Sequence, residues 1–115
     1  MRNIYVGRNN GVRDRLKAST DGGDSFDAID LTTGSAVVTL ILYETQPGTP
    51  TISRDSASYP DEFNLDSDGY ASWTPPAAVV TAAMAGESYH CRWILVSNTY
   101  ADGVVIPADD VQVLN

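Results

Sequence analysis

The sequence predicts an all-β sandwich of seven to nine short strands, led by a basic N-terminal hairpin or arm. Three observations carry that expectation. Residues 86–96 alternate, with Tyr89, Cys91, Trp93 and Leu95 on one face of an extended chain and His90, Arg92, Ile94 and Val96 on the other. Short apolar runs recur between turn signals such as Asn10-Gly11, Thr33-Gly34, Pro47-Gly48 and Asp68-Gly69. At 115 residues, with no apolar run near the ~20 needed to span a bilayer, the chain is expected to form one soluble domain.

Taken in order, residues 3–7 read as a strand, and Asn10-Gly11 as the turn of a hairpin whose second strand is 12–18. That second strand sets Val12, Asp14 and Leu16 against Arg13, Arg15 and Lys17, so one face is wholly basic. The body is expected to begin after residue 18 and run to 115. Residues 25–31 form a short strand anchored by Phe26 and Ile29. Residues 36–43 form a central strand, because neither of its faces is polar. Pro47-Gly48 turns it back into 51–54, and a weak strand follows at 61–65. Asp68-Gly69 leads into 70–73, where Trp73 and Ala71 share a face until Pro75-Pro76 ends the strand. Residues 77–85 tolerate one or two helical turns. The last strand spans 104–114, with Pro107 at a bend or an edge.

Gly86 three residues before Tyr89 fits the tyrosine corner of immunoglobulin-like sandwiches, in which the phenol bonds back to upstream backbone. Trp73 and Trp93 are the expected centres of the core. Cys91 is the only cysteine, which excludes an internal disulfide and suits a reducing compartment.

The net charge of −8 is unevenly spread. Residues 1–17 hold Arg2, Arg8, Arg13, Arg15 and Lys17 against Asp14, a balance of +4; the rest hold two bases and fourteen acids, −12. So much acid around a basic segment argues against a generic nucleic-acid binder. The five bases are read either as an edge strand guarded by charge or as an arm that grips an acidic neighbour.

Other residue types here could in principle carry chemistry. Asn64, Asp66, Asp68 and Gly69 open like a calcium loop, but Pro75 stands where a bidentate glutamate is needed, so an aspartate-rich turn is the better reading. His90 and Cys91 are adjacent and must point to opposite faces, which prevents a nucleophile–base pair. Tyr43, Tyr59, Tyr70 and Tyr100 suit either a carbohydrate or protein contact or ordinary half-buried positions. With no phosphate cradle, nucleophile elbow or His/Cys cluster, the expectation is a protein without enzyme activity, cofactor or metal.

From Gly23 onward, about 90 residues resemble the immunoglobulin-like modules of tailed-bacteriophage virion proteins. The features that carry this are Ile29-Asp30-Leu31-Thr32-Thr33-Gly34 before strand 36–43, Asp68-Gly69-Tyr70-Ala71-Ser72-Trp73, Ala85-Gly86-Glu87-Ser88-Tyr89 with Trp93, and the closing strand 104–114. The resemblance implies a non-catalytic virion component, made in the bacterial cytoplasm and bound to other virion proteins and to copies of itself. It implies a capsid decoration (cement) protein first, and a neck, tail or baseplate adaptor second. Two rival classes stand beside it: a carbohydrate- or receptor-binding module, and an enzyme or metal protein.

Overall fold

The computed structural model describes the chain except residues 8–9, 20–22, 24–25 and 45–48. Among the described residues ten strands form: β1 (Arg2–Tyr5), β2 (Val12–Arg15), β3 (Lys17–Ala18), β4 (Asp27–Ala28), β5 (Val37–Tyr43), β6 (Ile52–Asp55), β7 (Phe63–Leu65), β8 (Tyr70–Trp73), β9 (Ser88–Val96) and β10 (Val104–Leu114). One sheet has the order β1-β10-β9-β5-β6 and a second the order β2-β8-β7; β3 and β4 make a two-residue ladder. The fold is all-β and sandwich-like.

The alternation of β9 decides where the core lies. Leu95, Trp93 and Cys91 stand opposite Val38, Leu40 and Leu42 of β5, and all six are 4% exposed or less. From the facing sheet come Val12, Ala71 and Trp73, also buried. Successive side chains alternate sides on a strand, so each of these strands needs only every second residue to be apolar. Pro107 sits in the half of β10 that β1 does not reach, since β1 pairs only with Val111–Leu114. A residue with no N–H is tolerated on that open edge.

The N-terminus departs from expectation. β1 and β2 are neither the two strands of a hairpin nor a separate arm. β1 runs parallel to β10 in the five-stranded sheet, whereas β2 runs antiparallel to β8 in the other. Ile4, Val12, Leu16 and Ala18 are all buried. Crossing between sheets lets the apolar sides of both strands enter one core, which a two-stranded hairpin could not offer them. The Asn10-Gly11 signal has another use here. Asn10 Oδ1 accepts from Tyr5 N–H at 3.2 Å, and Gly11 passes so close to β8 that a Cβ would lie 1.6 Å from the Trp73 carbonyl oxygen. Glycine is required by proximity, not by a turn.

Smaller departures have similar causes. Phe26 is 62% exposed and stays outside the core, while Ile29 does pack against it. The helix-tolerant segment 77–85 contracts to one 3-10 turn, Ala82–Met84, with Met84 buried. The strand expected at 61–65 begins with a 3-10 turn at Pro60–Glu62. The parallel β1–β10 pair and the β3–β4 ladder take the strand count to ten and make the large sheet mixed. Tyr89 is buried at the expected corner, and burial with the Glu44 and Glu87 charges raises its pKa. Among the described residues its phenol makes no bond to upstream backbone. The corner closes instead through Gly86 N–H to Val113 O at 2.8 Å and Val113 N–H to Glu87 O at 3.0 Å, with Gly86 at φ +86°.

Candidate functional site

The five bases singled out in the sequence part company in the structure. Val12, Asp14 and Leu16 turn inward, so Arg13, Arg15 and Lys17 line the outer surface of β2 and β3, all exposed. Alternate residues on a strand lie roughly 7 Å apart, so Arg13 and Arg15 begin a basic stripe on β2 that Lys17 continues on β3. β8 supplies its backing. Arg13 lies 3.9 Å and Arg15 5.4 Å from the centre of the Tyr70 ring, and Arg15 Nε donates to the Asp68 carbonyl at 2.8 Å. These contacts hold the guanidinium groups without neutralising them. Arg8 lies outside the described residues.

Arg2 has a different role. Its Nη1 donates to both oxygens of Asp14 at 2.8 Å, and its Nη2 to the Asp109 carbonyl at 2.6 Å. The same carboxylate accepts from the Trp93 indole Nε1 at 2.8 Å. Asp14 thus ties β2 of one sheet to β1 and β9 of the other. A second cluster repeats the chemistry at the opposite edge. Arg54 meets Glu62 through Nε to Oε1 at 3.1 Å and Nη2 to Oε2 at 2.5 Å, and Trp73 Nε1 donates to Glu62 Oε1 at 3.0 Å. Charged two-pronged bonds of this kind are the strong ones. The two clusters bridge the sheets in a protein with no disulfide. Sequence reasoning missed both, although an acid at the inward position between Val12 and Leu16 was a visible signal.

Glu62 gives a pH prediction. Hydrogen bonds from Arg54, opposed by burial and reinforced by Trp73 and the Arg54 charge, hold its carboxyl below the ordinary 4.5. A depressed carboxyl stabilises the fold above its unfolded pKa and loses that contribution as pH falls through the folded value. The urea midpoint should drop as pH falls below about 4.5. Glu62→Gln should be less stable at neutral pH and show a shallower acid limb. An unchanged limb in the variant would remove Glu62 from the account.

The remaining candidates carry little chemistry. Asp66 Oδ1 accepts the backbone N–H groups of Asp68 at 3.0 Å and Tyr70 at 2.8 Å, so this carboxylate caps its own turn; Asn64 lies out on β7, and Pro75 is buried. Among the described residues no three His, Cys, Asp or Glu side chains gather to hold a metal, and no helix is long and apolar enough to cross a membrane. His90 Nδ1 lies 3.1 Å from Asp110 Oδ1 on the outer face, while burial pushes the inward Cys91 thiol up to about 12. Tyr43 is buried, with Arg92 over its ring at 4.5 Å. Tyr70 is on the other sheet, Tyr59 is covered by Arg54 at 3.5 Å, and Tyr100 lines a cleft of about 240 Å³ at one end, beside Asp27 and Asp30. The four tyrosines form no common platform.

No protein-family model matches the chain, and no curated protein sequence matches it either.

Proposed function

We propose that this chain is a non-enzymatic structural protein of a tailed-phage virion, a capsid decoration protein that docks on other virion subunits through its sheet surfaces. The observation that carries the reading is the basic stripe of Arg13, Arg15 and Lys17, its two arginines held against Tyr70, on a chain of net charge −8. A rigid cationic face on an otherwise acidic protein suits an acidic protein neighbour, and opposite potentials steer such encounters. The grip is assigned to the outer face of β2, since β1 and β2 belong to the two sheets of the sandwich. A neck, tail or baseplate adaptor is the same proposal at another place in the particle. The end cleft beside Tyr100 favours, as a second reading, a carbohydrate- or receptor-binding module.

Electron microscopy of purified particles tests the first reading by locating the chain on them. Arg13→Glu with Arg15→Glu and Lys17→Glu should abolish binding to particles lacking the protein while leaving the melting temperature nearly unchanged, as exposed substitutions do. A glycan that binds the protein, with no chain on the particle, would favour the second reading instead.

A further inference from the structure

The outer faces of the two sheets are written differently. On the three-stranded sheet the outward positions of β2 and β8 are Arg13, Arg15, Tyr70 and Ser72, a solvated pattern. On the five-stranded sheet the register sets Val37 beside Val96, Ile94 between Val105 and Thr39, and Arg92 between Pro107 and Ile41. All of these point away from the core, and Val96 and Val105 are 42% and 52% exposed. An outer face this apolar signals contact with another molecule.

We propose that this face joins two copies of the chain about a two-fold axis. Its charges select the occupant. Within the patch the one ionised side chain is Arg92, which has no carboxylate partner among the described residues and whose Nε is buried without a hydrogen bond. Asp55 sits at the rim on β6, opposite Thr39; its Oδ2 accepts the Ser58 N–H at 2.8 Å, and among the described residues it forms no ion pair with a cation. Adjacent strands are ~4.8 Å apart, so Arg92 and Asp55 of one copy lie roughly 12 Å apart and cannot meet. An axis in the interface plane, crossing β5 between Thr39 and Ile41, lays Arg92 of each copy over Asp55 of the other. On the same strand lattice it lays Val105 over Val37 of the other copy and gathers Ile94 and Val96 near the axis. The patch is therefore complementary to itself, as a two-fold contact requires. It also lets two copies of net charge −8 approach without setting acid against acid.

This deepens the structural-protein reading by naming the face through which copies meet, and it rests on that reading only for its purpose. The test needs no particle, so its failure is distinct from failure of the particle-binding experiment. Sedimentation of the full chain should show a reversible dimer. Arg92→Asp and Asp55→Arg should each weaken it at least ~30-fold by setting like charges together. An equimolar mixture of the two should recover a heterodimer, because both cross-pairs are then opposite in sign. Melting curves close to wild type establish that the variants fold. A wild-type chain that stays monomeric, variants that still dimerise, or a mixture that does not recover pairing would each overturn the proposal, the first pointing to a different partner for the patch.

Discussion

Trp93→Ala is expected to lower the stability of the domain by about 4 kcal/mol and its melting temperature by about 15 °C. Two losses combine. The ring is fully buried, packed edge-on against Phe63 at 6.2 Å between centres, so its removal leaves a cavity where the sheets meet. Its indole N–H also satisfies Asp14, whose other contacts are with Arg2. Trp93→Phe separates the two, since it keeps most of the apolar contact and removes only the donor; a cost of about 1–2 kcal/mol is expected. Urea unfolding of both variants makes the comparison. If Trp93→Phe were as stable as wild type, the indole bond would add nothing to the fold. Domains of this size have roughly 5–15 kcal/mol in total, so the alanine variant should lose a large share of its stability.

Gly11→Ala is expected to cost about 3 kcal/mol, far more than one methyl group on a loop normally does. The added Cβ would fall 1.6 Å from Trp73 O and 2.7 Å from Trp73 C, with Pro75 Cδ at 3.0 Å. The first two are backbone atoms of β8, so no rotamer change relieves the contact. β2 must move off β8, loosening the Val12–Trp73 end of the register. Gly7, which has φ +69° and nothing within 4 Å of its added Cβ, is the control: alanine there meets conformational strain alone. Thermal unfolding should rank Gly11→Ala well below Gly7→Ala. The reverse order would mean that turn geometry, not close approach, explains glycine at residue 11.

The two inter-sheet clusters connect these stability arguments to the functional ones. Asp14 holds β2 in the sandwich from within, through Arg2 and Trp93, while Arg13 and Arg15 of the same strand present charge to the outside. A strand anchored in this way can offer a fixed cationic face, whereas a free arm would have to lose entropy on binding.

What the sequence determined by itself is what alternation and turn chemistry can encode. The core face of β9, the pairing of residues 36–43 with 51–54, the Asp68-Gly69 hairpin, the outward direction of Arg13, Arg15 and Lys17, and the open edge at Pro107 follow from a two-residue period and from residues that favour or forbid local geometry. Only the tertiary structure decided which strands share a sheet. Asn10-Gly11 looks the same whether it closes a hairpin or crosses between layers, and the choice was made by where Ile4, Val12 and Leu16 could be buried together. The indole–carboxylate–guanidinium clusters were hidden for the same reason, since Arg2, Asp14 and Trp93 are brought within hydrogen-bond distance only by the packing of one sheet on the other.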